Sequence, residues 1–434
     1  MGDYMPLFPG ARNVRLSLPV ISVLIVMATI VGTLAMRYGT VQIWQAIVSH
    51  VPYGITTVDA STSSALFETA IVVPEGMRRG RFSQPRYLSV PENFSVSVFA
   101  LVDGARALHY APWGEWLVSL PTQGTVLGLR DTDGDGTVDQ TRTVLSGLRC
   151  PYGIVIRDDN LFVAQSTSIA RFNHLWGEGT PVPSGVVVDG LPDSGCGAHH
   201  FRPLALDATG AFYIAFGSSC NVCVEADTRR STIWRYANDG TGREFARGLR
   251  NVVDLSFDPS SGTLWAATNE RDALGDDIPP EPVTPVNEGA DYGWPYCYWN
   301  GDSWQVDTRV PSRNPRCEGL TRYFGVQAHS APLGITFPVG TSLPESFRGN
   351  GFAAYHGSWN RSIATGYKVA RVITNEGRPV ASEDFVTGWN RGPRGPGDAW
   401  GRPVDIQEGP DGSLFLTDDV AGAVYRIAYT PPAQ

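Results

Sequence analysis

Short apolar segments separated by tight polar turns recur along most of this chain. A motif of a turn, four or five apolar or aromatic residues and then a polar residue occurs six times. The copies read GEWLVSL from 114, DNLFVAQ from 159, GAFYIAF from 210, GTLWAAT from 262, NGFAAYH from 350 and GSLFLTD from 412. A second apolar segment, such as VVDLSFD or APLGITF, precedes most of them, and helical periodicity is scarce. Six such units at spacings of about 50 residues predict an all-β fold, a six-bladed β-propeller.

The spacing between the fourth and fifth copies is longer than the others. The additional residues, about 270 to 330, are polar and rich in proline, glycine and aromatic side chains. Insertions in repeat folds map to loops on one face, which is often the binding face. We therefore expect this excursion to contribute to a site, the alternative being a loop without function.

The N-terminal region carries an uncharged apolar segment. Residues 16–36, between Arg15 and Arg37, contain no charged side chain, and as a helix they would span about 30 Å, the thickness of a bilayer core. This predicts an N-terminal transmembrane helix within residues 1–37, and a cleaved signal peptide is the alternative. Residues 38–90 form a lead-in and residues 91–430 the propeller. We expect a membrane-anchored protein with its propeller on the periplasmic or extracellular side.

Composition narrows the partners and the compartment. The 434 residues have a net charge of −9 and no basic run, which argues against a nucleic-acid partner. Six cysteines suit an exported protein with disulfides. Cys220 and Cys223 form a C-x-x-C sequence, for which a short-loop disulfide is favoured over a zinc or redox site. Asp131, Asp133 and Asp135 have calcium-loop spacing, but without a glutamate at the twelfth position they favour an acidic turn, with a calcium site as the alternative.

Three arginines stand at similar places beside predicted blade strands. Arg250, with Asn251, directly precedes a buried strand, and Arg361 and Arg402 each lie near a tryptophan and a glycine. One such arginine could bond loop carbonyls, but three from different blades suggest a flat anionic ligand on the propeller axis. The adjacent His199 and His200 precede another strand. A metal pair is disfavoured because neighbouring side chains of an extended segment point apart, which leaves a catalytic base or a polar turn.

Several longer segments resemble one enzyme family. They read AHHFRPLALD, GLRNVVDLSFDPSSGTLWAATNERDALGDD, GADYGWP, APLGITF, HGSWNRS and WGRPVDIQEGPDGSLFLTDD, in the order of the family, over roughly residues 90–430. The chain is thereby similar to the sorbosone dehydrogenases and soluble quinoprotein glucose dehydrogenases. These proteins are six-bladed propellers that use pyrroloquinoline quinone (PQQ) and Ca²⁺.

The resemblance also implies roles for particular residues. His199 would be the catalytic base, and Arg250 and Asn251 would face the quinone, with Arg250 assisting catalysis. Further cofactor contacts would come from His356, Arg361 and Arg402. The backbone carbonyls of Gly293 and Pro295 would hold the calcium ion.

One departure from the family limits what can be carried over. Where the glucose enzymes have a glutamine, this chain has Arg149, Cys150 and Tyr152, so sugar specificity does not follow from the resemblance. Cys150 and Cys196 both fall near the expected site, where a disulfide between them would brace its rim.

The resemblance implies a dehydrogenase that oxidises a sugar, a polyol or a sugar aldehyde by hydride transfer. Its electron acceptor would be a membrane quinone or a cytochrome. Two alternatives stay open, a calcium-dependent lactonase-type hydrolase and a non-catalytic ligand-binding propeller.

Overall fold

A computed structural model describes residues 64–432 apart from 174–178, 194, 198 and 313–315. The expected transmembrane helix in residues 1–37 lies outside the described residues. Within the described part of the chain, none of the helices has the length and apolar character needed to span a bilayer. The described helices are five short 3-10 turns, Glu75–Met77, Gly80–Phe82, Pro121–Gln123, Glu345–Phe347 and Gly395–Gly397.

Six four-stranded antiparallel sheets form the blades of a propeller, as the repeat predicted. In each blade the first-named strand is the innermost and the last-named strand is the outermost. Blade 1 contains β4 (Leu108–Ala111), β5 (Glu115–Leu120), β6 (Thr125–Arg130) and β7 (Gln140–Leu145). Blade 2 contains β8 (Ile154–Arg157), β9 (Asn160–Ala164), β10 (Ile169–Asn173) and β11 (Val182–Val188). Blade 3 contains β12 (Leu204–Leu206), β13 (Phe212–Phe216), β14 (Thr232–Tyr236) and β15 (Gly242–Arg247).

The other three blades have the same four-stranded plan. Blade 4 contains an insertion before its last strand, and blade 6 is completed by a strand from the beginning of the propeller sequence. Blade 4 contains β16 (Asn251–Asp258), β17 (Thr263–Asn269), β18 (Glu281–Pro285) and β21 (Gly325–Val326). Blade 5 contains β22 (Pro332–Thr336), β23 (Gly351–Tyr355), β24 (Lys368–Asn375) and β25 (Arg378–Val386). Blade 6 contains β26 (Pro403–Glu408), β27 (Leu414–Asp418), β28 (Ala423–Tyr429) and, from the other end of the chain, β3 (Phe94–Leu101). The remaining strands form two small sheets, β1 (Leu66–Ala70) with β2 (Tyr87–Pro91), and β19 (Cys297–Trp299) with β20 (Trp304–Val306).

The six sequence motifs are the second strands of the six blades. They coincide with β5, β9, β13, β17, β23 and β27. A second strand is covered on both faces by the neighbouring blades, so every residue of β13 is buried. Aromatic rings then meet between blades, with the Phe162 and Phe212 centroids 4.9 Å apart and those of Trp116 and Phe415 4.5 Å apart. This burial explains why these strands are apolar throughout rather than alternating.

The long excursion has two parts. It supplies β18 and β21, which complete blade 4, and it adds the β19–β20 hairpin. The first residue of this hairpin, Cys297, forms a disulfide with Cys317 in the segment that follows. The other two disulfides are Cys150–Cys196 and Cys220–Cys223, which confirms both proposed pairings.

The aspartate-rich segment is an acidic turn, as expected, and connects β6 to β7. The Asp131 carboxylate accepts hydrogen bonds from the backbone N–H groups of Gly134 (2.7 Å) and Gly136 (2.8 Å). Both glycines have positive φ angles, 78° and 84°, which side chains rarely adopt.

Candidate active site

A cavity of about 540 Å³ lies at the end of the propeller where the innermost strands begin. Residues just before β4, β12, β16, β22 and β26 line it, together with loops that leave the second strands β13, β17 and β23. Five of the predicted residues meet there: His199, Arg250, Asn251, His356 and Arg402. Residues distant in sequence therefore converge because each blade delivers its strand entrance to the same face.

His199 is held in a defined orientation at this cavity. Its backbone has a φ of 55°, in the left-handed region that histidine adopts more readily than most residues. Its Nδ1 lies 2.8 Å from the carbonyl oxygen of Ser218. A carbonyl only accepts, so Nδ1 carries the proton and Nε2 is left with a free lone pair. Burial, followed by the charge of Arg250, lowers the His199 pKa to about 4, so the ring is neutral at pH 7.

His200 has a different environment from its neighbour. It is only 8% exposed, and its ring lies 4.0 Å from that of Phe201, centroid to centroid. Its Nδ1 bonds the carbonyl oxygen of Gly197. The two histidines thus have separate surroundings, and His199 is the one that lines the cavity.

Arg250 is nearly buried and fully engaged by the loops around it. Its guanidinium donates to the carbonyl oxygens of Asn221 (2.9 Å) and Glu270 (2.8 Å) and to the Asp272 carboxylate (3.2 Å). Burial lowers its pKa, while Asp272 and Glu270 oppose that effect. The side chain of the adjacent Asn251 packs against Gly217. A Cβ atom at position 217 would lie only 2.3 Å from the Asn251 Oδ1, so this contact requires a glycine.

Arg402 and His356 form the opposite part of the lining. Arg402 donates from Nε to the His356 carbonyl oxygen (2.8 Å) and from Nη2 to that of Gly357 (2.6 Å). The His356 Nε2 lies 2.9 Å from Asp419, which also accepts from Arg106 at 2.5 Å. Burial lowers the His356 pKa to about 4. Burial alone would raise the Asp419 pKa, but His356 and Arg106 lower it.

The cavity contains residues that sequence reasoning missed. The excursion contributes three carboxyl groups, those of Glu270, Asp272 and Glu281. Burial raises the Glu270 pKa to about 7, against the opposing charge of Arg250, and it raises the Glu281 pKa as well. Trp359 lies at the rim and is 69% exposed.

Arg106 is another missed residue, and a signal for it exists. An arginine stands one or two residues before four innermost strands, at Arg106, Arg202, Arg250 and Arg402. An arginine at this place therefore recurs along the chain together with the innermost strand. Of these four, only Arg250 and Arg402 were predicted as site residues, although Arg106 stands at the same place before the innermost strand of blade 1.

Three expected site residues lie elsewhere. Arg361 does not line the cavity. Its guanidinium instead bonds the Asp276 carbonyl oxygen and the Asp277 carboxylate (3.1 Å), so it anchors a turn of the excursion. Gly293 and Pro295 line a different cavity, of about 570 Å³. The Gly293 carbonyl oxygen already accepts two backbone bonds, from Tyr296 (3.0 Å) and Cys297 (2.9 Å). The calcium ligands expected there are therefore not brought to the arginines.

Comparison with known proteins identifies the relatives of this propeller. The TrAA12-like family matches residues 88–430. An uncharacterized protein of Borreliella burgdorferi is 30% identical over 246 residues, 55% of this chain and 63% of that protein. The chain therefore matches less than two thirds of that curated relative.

Solved structures share the fold at lower identity. The holo PQQ domain of pyranose dehydrogenase from Coprinopsis cinerea has a TM-score of 0.68 at 20% identity, covering 83% of this chain and all of that one. The calcium structure of a family AA12 carbohydrate-active enzyme from Trichoderma reesei has a TM-score of 0.67 at 19% identity, covering 79% and 96%. The PQQ-bound aldose sugar dehydrogenase of Streptomyces coelicolor has a TM-score of 0.52 at 17% identity, covering 79% and 100%.

Proposed function

Since this chain belongs to the TrAA12-like family, we propose that it is a PQQ-dependent dehydrogenase that oxidises a sugar or a related polyol or aldehyde. The observation that carries the proposal is a single cavity lined by arginines from three blade entrances and by a neutral histidine. Its volume of about 540 Å³ falls in the range of about 300–1,000 Å³ that is typical of cofactor and ligand pockets.

Unused donors in the cavity fit an anionic cofactor such as the tricarboxylate PQQ. The buried Nε of Arg106 has no hydrogen-bond partner among the residues that the structure describes. No acceptor is found for Nη1 of Arg402 among residues 64–432 that the structure describes. Such donors favour a ligand with carboxylates, because a buried guanidinium N–H without an acceptor costs free energy. The exposed face of Trp359 offers a flat apolar surface for a planar ring.

We propose that calcium binds in the arginine-lined cavity and not at the carbonyl oxygens of Gly293 and Pro295. Glu270, Asp272 and Glu281 offer carboxylate oxygens there, but these oxygens do not lie close enough together to form a ready metal site, so binding would draw them toward the ion. Calcium prefers oxygen ligands, and these three carboxyl groups line the same cavity as the arginines. Burial raises the pKa values of Glu270 and Glu281, and a bound divalent ion would favour their ionised forms.

His199 is suited to remove the hydroxyl proton of the substrate. Its Nδ1–H donates to Ser218, so Nε2 is the atom that can accept a proton. Bound PQQ would supply the hydride acceptor for the reaction, and bound calcium would supply Lewis acidity. Arg250 would stay charged beside it, because Asp272 and the surrounding carbonyls compensate its burial.

The test is titration of the purified protein with PQQ and Ca²⁺ by ultraviolet-visible spectroscopy, followed by sugar addition. We expect saturable binding that requires Ca²⁺, and reduction of the bound quinone by at least one sugar. Absence of PQQ binding by correctly folded protein in the presence of Ca²⁺ would refute the proposal.

A second candidate is a calcium-dependent lactonase-type hydrolase. Hydrolases of that class use carboxylates and asparagines around a metal, and this cavity holds both, including Asn251, Asn269 and Asn360. The same preparations, given Ca²⁺ and a sugar lactone without quinone, distinguish the two functions, since only the hydrolase would turn over.

We further propose that the electron acceptor is a membrane quinone or a cytochrome and that the N-terminal segment anchors the propeller to a membrane. The uncharged residues 16–36 support the anchor, and the three disulfides support an exported propeller. Cell fractionation and protease accessibility of the propeller test this location.

A further inference from the structure

A short loop closed by a disulfide supports several parts of the cavity at once. We call residues 218–223, which follow β13, the disulfide loop, because Cys220 and Cys223 are joined within it. Its first residue, Ser218, accepts from the His199 Nδ1 through both its carbonyl oxygen (2.8 Å) and its Oγ (3.0 Å). The Ser218 N–H in turn donates to the Arg250 carbonyl oxygen at 2.9 Å. The start of the loop therefore orients the histidine and fixes it to the entrance of β16.

Asn221, in the middle of the disulfide loop, connects two further elements. Its carbonyl oxygen accepts from the Arg250 Nε at 2.9 Å and from the Trp294 indole N–H at 3.2 Å. Its side-chain Nδ2 donates to the Asp272 carbonyl oxygen at 3.1 Å, and its Oδ1 accepts from the Asp272 N–H at 2.8 Å. Asn221 is thus bonded to an arginine at one blade entrance and to the segment that carries the acidic residues.

The amide of Asn221 acts on the site through its neighbours. Asn221 lines the cavity, but both edges of its amide are used by the Asp272 backbone. Asp272 bonds the Arg250 Nη2 (3.2 Å) through one carboxylate oxygen and accepts from the Asn360 amide (2.7 Å) through the other. A shift of Asp272 would therefore be transmitted to Arg250 and to the loop that bears Trp359.

We propose that Asn221 is a positioning residue that fixes Arg250 and Asp272 relative to each other, and that the Cys220–Cys223 disulfide holds Asn221 in place. The inference rests on the proposed function for its effect on the quinone, but the contacts exist without a ligand. A six-residue loop that must present one amide in one orientation loses conformational freedom on folding, and the cross-link restricts the alternatives.

The first experiment measures hydrogen exchange of the Asp272 amide in the ligand-free protein. Asn221→Ala removes its acceptor, so we expect exchange at Asp272 to become faster. Asn221→Asp keeps an oxygen that can accept from Asp272 N–H, so protection should be largely restored. Unchanged Asp272 exchange in Asn221→Ala would overturn the proposal.

The second experiment measures PQQ affinity of the same variants by spectroscopic titration with Ca²⁺. Loss of two hydrogen bonds to one backbone segment should weaken binding on the order of tenfold in Asn221→Ala. The matched control is Asn350→Ala at the opposite end of β23, where the amide also bonds the backbone, donating to Ser346 and Arg348 and accepting from Thr374. The control should lower thermal stability while leaving PQQ affinity unchanged. Equal affinity losses in both variants would show a general effect of destabilisation and overturn the proposal.

The third experiment removes the cross-link. The double variant C220S/C223S should weaken PQQ binding and speed Asp272 exchange, whereas C297S/C317S, which removes the disulfide of the excursion, should do neither. The reverse order would overturn the role of the disulfide. If wild-type protein binds no PQQ, the proposed function fails, while the exchange measurements still decide whether Asn221 orders Asp272.

Discussion

Replacement of His199 by alanine tests the central role assigned to this cavity. The Nδ1–H bond to Ser218 leaves Nε2 as the proton acceptor, and alanine removes that acceptor. General-base catalysis contributes roughly 10²–10⁴-fold in rate. Because burial lowers the His199 pKa to about 4, the ring is a weak base, and we expect the loss of kcat near the lower end, about 10²-fold.

The pH dependence gives a second and independent check. His199 must be neutral to act as a base, so activity should rise as the pH climbs through about 4 and should not change through this group above pH 5. An unperturbed histidine would give a rise near pH 6.5 instead. Stability follows the same sign. As the pH falls below about 6.5, His199 takes up a proton in the unfolded protein but not yet in the folded one. The contribution of the neutral ring to the free energy of unfolding is therefore complete above about pH 6.5 and is lost as the pH falls toward 4.

The assay is steady-state oxidation of sugar with an artificial electron acceptor, using protein whose PQQ content has been measured spectroscopically. His200→Ala is the matched control and should have the smaller effect on kcat, since His200 packs on Phe201 behind the cavity wall. His356 is the rival base in the same cavity. A larger loss of turnover in folded, PQQ-loaded His356→Ala than in His199→Ala would refute the assignment.

Other perturbations have distinct expected outcomes. Arg402→Ala should weaken PQQ binding about tenfold to a hundredfold in a spectroscopic titration, whereas Arg361→Ala, which removes contacts to Asp276 and Asp277, should leave it nearly unchanged; equal losses would contradict the placement of Arg361. Chelation of Ca²⁺ should abolish activity and its return should restore it, and activity that survives exhaustive chelation would exclude the metal. Asp405 lines a channel cavity together with Asp254, and burial raises the pKa of Asp405 to about 7. The stabilising contribution of the neutral carboxyl is therefore lost as the pH rises through 7. We expect the Tm of Asp405→Asn relative to that of the wild type to increase from pH 5 to pH 8, and a constant difference would contradict this. Deletion of residues 1–40 should move the protein from the membrane to the soluble fraction, and an intact protein found in the soluble fraction would contradict the anchor.

The fold was predictable because second strands in a propeller are buried on both faces. Their uninterrupted apolar sequences gave a repeat that could be counted without any contact information. Arg250 and Arg402 could be found because each directly precedes an innermost strand, and Asn251 because it is the first residue of one. The Cys220–Cys223 disulfide followed from the short C-x-x-C spacing in an exported chain, whereas Cys150–Cys196 was suggested by the place of both residues near the site that the resemblance implied.

The rest of the site depends on how the excursion folds back, which no repeat describes. Glu270, Asp272 and Glu281 are ordinary acidic residues in sequence, and only the path of the chain places them together in the cavity. The resemblance predicted that the carbonyl oxygens of Gly293 and Pro295 bind calcium. Hydrogen bonds within the turn, however, already use the Gly293 oxygen. Arg361 looked equivalent to Arg402 because it lies near a tryptophan, but it follows β23 instead of preceding an innermost strand.

The sixth blade has a consequence for how the ring can be cut and rejoined. Its outer strand β3 pairs with β28 from Phe94↔Tyr429 to Leu101↔Ala423, and the Thr430 N–H donates to the Asn93 carbonyl oxygen at 2.9 Å. The two ends of the propeller sequence are therefore neighbours in space. A circular permutant that joins residue 430 to residue 93 by a short linker, and opens the chain in the exposed acidic turn between β6 and β7, should keep all six blades. Opening the chain inside β3 should instead leave the pairing edge of β28 bare and favour exchange of that strand between molecules.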